Sequence, residues 1–232
     1  MYENYSSQQQ LDMQTGLNTY ISKVFGKMFI GLLVTAIVAF LTATSETMIR
    51  YVVATPVMFV AIIAELIVVI VLSSRIQKLS YQTATLLFYV YAILNGISLS
   101  SIFLVYNLGM IAISFFTTAV IFGVMSIYGM VTKKDLTKFG SLALMFLIGI
   151  IVATIINMFL QSSTLNLVIS FVAVAIFTGL VAFDTQKLKS YYYQTIGNNE
   201  MQMKIGILGA LSLYLDFINI FLYILRIFNN KK

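Results

Sequence analysis

Seven apolar runs divide the chain: Met28 to Ala43, Tyr51 to Leu72, Tyr81 to Tyr106, Leu108 to Val131, Phe139 to Leu160, Leu165 to Phe183 and Ile205 to Phe228. Crossing a hydrocarbon layer takes about 20 apolar residues in helical form, and most of the runs reach that length. They are continuous rather than alternating, whereas a membrane barrel would show strands of about ten residues with a two-residue period. Inside lipid, every backbone N–H and C=O must be bonded within its own segment, which leaves helix as the conformation. The expected fold is all-α: a polytopic membrane protein with seven transmembrane helices. Composition agrees, with 60% hydrophobic and 9% charged residues, against about 25% charged in a soluble domain. The first run is short and is followed by Ala43, Thr44 and Ser45, small residues like those of a signal-peptide cleavage site. The long polar stretch before it argues for a retained helix, as do Lys23 and Lys27, whose amines can reach the interface and lengthen the span.

Residues 1–22 are polar and are expected to form a flexible cytoplasmic tail, 23–228 the seven-helix domain and 229–232 a short carboxyl-terminal tail. If the segments alternate sides, ten of the 14 Lys and Arg fall on the amino-terminal side and four, Arg50, Arg226, Lys231 and Lys232, on the other. That bias places the amino terminus in the cytoplasm. The three basic residues at the carboxyl end pull the other way, which a re-entrant seventh segment would satisfy. The net charge of +6 comes without a dense basic face, so nucleic acid is not an expected partner. With no His and no Cys, imidazole and thiolate metal sites and the usual nucleophile–base triads are excluded, and no enzymatic activity or cofactor is expected.

Charge inside the spans is the informative exception. An acid near the middle of a span is disfavoured by ~2.5–3.5 kcal/mol even on lenient scales, so it faces an interior and has a partner. Glu65, Asp184 and Asp216 are such residues. In the seventh run Gly209, Ser212, Asp216, Asn219, Tyr223 and Arg226 recur at intervals of three and four and form one polar seam. Ser212, Asn219 and Tyr223 are candidate pore-lining residues, with an interhelical packing seam as the plainer reading. Glu65 and Arg75 are ten residues apart, as are Asp216 and Arg226. In antiparallel helices this predicts an inner pair, Arg75 with Asp216, and an outer pair, Glu65 with Arg226.

Asp184 closes the sixth run and reaches the inner level if that helix continues through Lys187 and Lys189. Two carboxylates brought together repel when both are ionised and share a proton when one is not. In a chain without histidine such a pair is the available pH switch. Carboxylates are also hard ligands, suited to transient contact with Ca²⁺. Tyr91, Asn95 and Ser98 on the third run, and Thr154 and Asn157 on the fifth, read as packing residues.

The segments GLVAFDTQKLK (Gly179 to Lys189), LGALSLYLDFINIFLYILRI (Leu208 to Ile227) and YAILNGISLSSIF (Tyr91 to Phe103) resemble the Bax inhibitor family, also called the transmembrane BAX inhibitor motif family, in its bacterial YccA- and YetJ-like branch. The resemblance implies a last helix enclosed by the other six and a pH-sensitive calcium leak, with Ca²⁺ and protons as partners and no cofactor. It also implies a pH-sensing aspartate pair at Asp184 and Asp216, an inner gate partner at Arg75 and an outer ion pair at Glu65 and Arg226. The alternative it carries is a membrane-embedded regulator that binds another membrane protein, such as a quality-control protease. Its handles would be the amino-terminal tail or a loop holding Tyr191, Tyr192 and Tyr193.

Overall fold

The computed structural model describes residues 7–53 and 56–229, and Lys231 and Lys232 lie outside the described residues. Seven long helices carry the chain: α1 (Ser7–Thr44), α2 (Val57–Arg75), α3 (Tyr81–Leu99), α4 (Leu108–Val131), α5 (Thr137–Leu160), α6 (Ser163–Gln194) and α7 (Asn199–Asn229). All seven are long and apolar enough to cross a membrane, and the protein is an integral membrane protein. α7 is one unbroken helix of 31 residues, about 46 Å at 1.5 Å per residue, so it has no re-entrant turn. Helix starts follow local chemistry. Ser80, Asn107 and Ser162 accept bonds from the backbone N–H groups of Thr83, Met110 and Leu165, satisfying donors that a helix start leaves open.

The last helix is the axis of the bundle. Two-thirds of its apolar window, 67%, is buried, against 11% for α2 and 17% for α5. Four helices enclose it, α1, α3, α4 and α6, while α2 packs on α3 and α5 packs on α6. The expected central last helix is observed, with α1, α3, α4 and α6 packed most extensively on it and α2 and α5 at the periphery, largely turned to lipid. Phe59, Val60 and Ile63 on α2, and Met145, Ile148 and Phe159 on α5, are correspondingly exposed. Because lipid is as apolar as leucine, close packing rather than hydrophobicity holds such helices together. At Gly129 a side chain would run into the backbone carbonyl of Ala182 on α6, and at Gly96 into Thr35 O and Val38 on α1.

Two expectations about the amino-terminal side are corrected. The segment expected as a flexible tail is part of α1 from Ser7 onward, with Leu17, Tyr20 and Ile21 buried. The triad Tyr191–Tyr193 lies in the last turns of α6 rather than in a loop, and Tyr192 is buried. Polar residues between the few apolar and aromatic ones make both stretches look like solvent-exposed segments in sequence, yet each lays apolar side chains against the bundle.

Candidate functional site

The side chains of Asp184 and Asp216 meet, each within interaction range of the other. The antiparallel run of α6 along α7 dictates this. Leu188 lies against Gly209, and Phe177 stacks on Tyr223 with ring centroids 6.2 Å apart. The two aspartates fall between those contacts. α6 continues to Gln194, ten residues past Asp184, so the carboxylate is inside the bundle and not at a helix end. Asp216 is 4% exposed, and its Oδ2 has no hydrogen-bond partner. Lys187, one turn along α6, is the cation acting on Asp184; its amine lies 5.5 Å from the ring centroids of both Phe183 and Tyr191. The helices meeting here contribute further buried oxygens without a partner, Thr185 Oγ1 on α6 and Ser126 Oγ on α4. Gln186, next in the same segment, clamps the α4–α5 turn: its Nε2 donates to Lys134 O at 2.8 Å, and its Oε1 accepts from Leu136 N at 2.9 Å. Lys189 Nζ donates to the Met130 carbonyl.

Neither expected ion pair is formed in this conformation. Among the described residues Arg75 has no ion pair, and it lies exposed at the end of α2. The cause is register. Lys204 Nζ donates to Gln77 O at 3.3 Å, which sets the end of α2 level with Lys204, twelve residues and about 18 Å of helix from Asp216. Glu65 likewise sits at the level of Tyr214 rather than of Arg226. Arg226 instead lies over the Tyr223 ring, 5.1 Å from its centroid.

Glu65 is buried with partners that the sequence reading assigned to plain packing. Asn95 Nδ2 donates to its Oε2 at 3.0 Å, and the Ser98 hydroxyl donates to its Oε1. Tyr214 then donates to Asn95 Oδ1 at 3.0 Å and lies 2.7 Å from Thr35 Oγ1, which reaches the Ala92 carbonyl at 2.8 Å. One chain of polar contacts thus links α2, α3, α7 and α1 in mid-bundle. Thr35 and Tyr214 carried no signal in sequence beyond being hydroxyls in apolar runs. Of the seam on α7, Asn219 bonds back to Leu215 O at 2.8 Å, Tyr223 stacks on α6, and Ser212 is half-buried. No group of three or more acids gathers among the described residues, so the aspartate pair offers two carboxylates to a cation and no fuller cage.

Residues 17–232 match the model of the family described as inhibitor of apoptosis-promoting Bax1. The chain belongs to this Bax inhibitor family. It is 47% identical to the inner membrane protein YbhL of Escherichia coli K12 over 221 residues, 94% of each chain. It is also 42% identical to a protein of Borreliella burgdorferi, covering 93% of both chains, and 38% identical to a membrane protein of Streptococcus pyogenes serotype M1, covering 93% of this chain and 94% of that one. As a Bax inhibitor family member, the chain carries its FDTQ and LYLDFINIFL segments on the two helices whose aspartates meet.

Proposed function

We propose that this protein is a pH-sensitive leak for Ca²⁺ or similar cations, switched by the Asp184–Asp216 pair, in a bacterial plasma membrane with its amino terminus in the cytoplasm. The observation that carries the reading is the meeting of two carboxyl groups, Asp184 on α6 and the buried Asp216 on the central α7. Two carboxyl groups this close share a proton at rest, because both cannot carry charge side by side at low cost. When that proton leaves, two like charges face each other in a low-dielectric interior and repel, and the least costly relief is to part α6 from α7. Oδ2 of Asp216, Thr185 Oγ1 and Ser126 Oγ, none with a partner, then become hard oxygen donors for a cation in passage. No reaction chemistry and no cofactor enter this reading. Placement in the plasma membrane is supported by the inner membrane protein YbhL, and orientation by the excess of Lys and Arg on the amino-terminal side.

The alternative, a regulator docking on another membrane protein through the amino-terminal segment or the Tyr191–Tyr193 stretch, gains no support from the fold, since Leu17, Tyr20, Ile21 and Tyr192 face the bundle. The test is Ca²⁺ flux into liposomes holding the purified chain, from about pH 6 to 8, since burial beside a like charge lifts carboxyl titration toward neutrality. Flux rises with pH in the wild type. In Asp216→Asn, which cannot supply the second charge, the profile is flat. Identical profiles sink the assignment.

A further inference from the structure

A cavity of about 640 Å³ lies on the amino-terminal side of the bundle, apart from the aspartate pair, between α1, the start of α3, the end of α6 and the start of α7. Its wall holds Lys23 and Lys27, one turn apart on α1, together with Thr19, Tyr20, Tyr81 and Gln202, and no carboxylate. Among the described residues neither lysine has an ion pair; the acid at the start of α7, Glu200, is held by Lys204 at 3.3 Å. Lys27 Nζ donates to the Tyr81 hydroxyl at 2.5 Å and lies 4.8 Å from its ring centroid. This fixes the ammonium in place and leaves two of its three N–H donors free. Tyr20 is a second and independent pointer. It is 7% exposed, it lines the cavity, and its buried hydroxyl has no hydrogen-bond partner in the protein. The Thr19 hydroxyl is spent on the Thr15 carbonyl at 2.9 Å, but two ammonium groups, the Tyr20 and Tyr81 phenols and the Gln202 amide around an acid-free void form a donor set for phosphate, whose oxygens accept from all of them.

The lipid side supplies the carrier. Lys23 and Lys27 sit where α1 passes into its lipid-facing stretch, marked by the exposed Phe29 and Ile30, and Ile30 and Gly26 belong to the cavity wall. Gly26 is also in the wall of an apolar groove of about 490 Å³ that includes Phe25, Phe29, Phe115 and Phe122. A side chain added at Gly26 would meet nothing within 4 Å, so this shared edge is open. Basic pockets between membrane helices hold anionic headgroups in this way. We propose that the cavity binds the phosphate of an anionic phospholipid, with the headgroup among Lys23, Lys27 and Tyr20 and an acyl chain leaving past Gly26 into the apolar groove.

The test is native mass spectrometry of the full chain in detergent, with phosphatidylglycerol or phosphatidylcholine added, in the presence and absence of excess inorganic phosphate. Phosphatidylglycerol is retained about thirtyfold better, the scale set by two basic residues near an anionic headgroup. Lys23→Gln with Lys27→Gln abolishes the preference, Lys23→Arg with Lys27→Arg keeps it, and Tyr20→Phe lowers retention about threefold, the loss of one hydrogen bond. Lys23→Glu, at an exposed position, gives the same reading if the double variant does not fold. Equal retention of the two lipids overturns the proposal, as does an unchanged preference in the Gln or Glu variants. Retention of inorganic phosphate by protein that retains neither lipid overturns the lipid source and leaves a site for soluble phosphate.

Discussion

Tyr214 on the central helix donates its hydroxyl hydrogen to Asn95 on α3 at 3.0 Å, and Asn95 in turn holds Glu65 on the peripheral α2. Tyr214→Phe keeps the ring contacts with Tyr91 and Phe88, at 5.5 and 6.0 Å between centroids, and removes only the hydroxyl. It leaves Asn95 Oδ1 buried without its donor, and stability falls by about 1 kcal/mol. Unfolding in mixed micelles, by denaturant or heat, measures this.

Glu65 and Asn95 form one coupled unit, whereas Glu65 and Arg226, paired by sequence spacing, do not meet. A double-mutant cycle of Glu65→Gln with Asn95→Ala gives a coupling of roughly 1 kcal/mol. The cycle of Glu65→Gln with Arg226→Ala is additive to within about 0.5 kcal/mol, as for residues without a shared partner. A large Glu65–Arg226 coupling would contradict the helix register described above.

Two glycines of α4 separate packing from propensity. Gly129→Ala drives a methyl group into the carbonyl of Ala182, while the same change at Gly123 meets nothing within 4 Å. Gly129→Ala destabilises by about 1–3 kcal/mol through overpacking. Gly123→Ala is neutral or stabilising by up to ~1 kcal/mol because alanine is the better helix former. Melting temperatures of the two variants in detergent decide it.

Asp135 lies in the α4–α5 turn, outside the spans, and Thr137, through its hydroxyl and its amide (N to Oδ1 2.9 Å), holds the Asp135 carboxyl below the usual carboxylate range. A depressed folded-state value means that the stabilisation is present above the ordinary value of 3.8 and is lost as pH falls through the folded value. Hydrogen exchange at the Thr137 amide therefore speeds up, relative to its neighbours, on going below that range. In Asp135→Asn this acid-dependent change is absent.

Seven helices and the membrane were legible in the chain alone, because spanning lipid imposes a local condition: about 20 apolar residues with every backbone group bonded within the segment. The aspartate pair was legible in part, since a charge in such a run announces that something faces it. What faces it depends on how far one helix slides along the next, and sequence spacing does not fix that. Glu65 and Arg75 match Asp216 and Arg226 in spacing, yet Lys204 beside Gln77 and Tyr214 beside Asn95 set a register in which neither ion pair forms. The partners of Glu65 are instead neutral side chains, Asn95 and Ser98, which look like ordinary packing residues until the helices are assembled. Sequence by itself determined which residues are too polar for lipid. Tertiary structure decided which of them meet, because contacts between helices are set by close packing at positions such as Gly129 and Gly96, and not by charge.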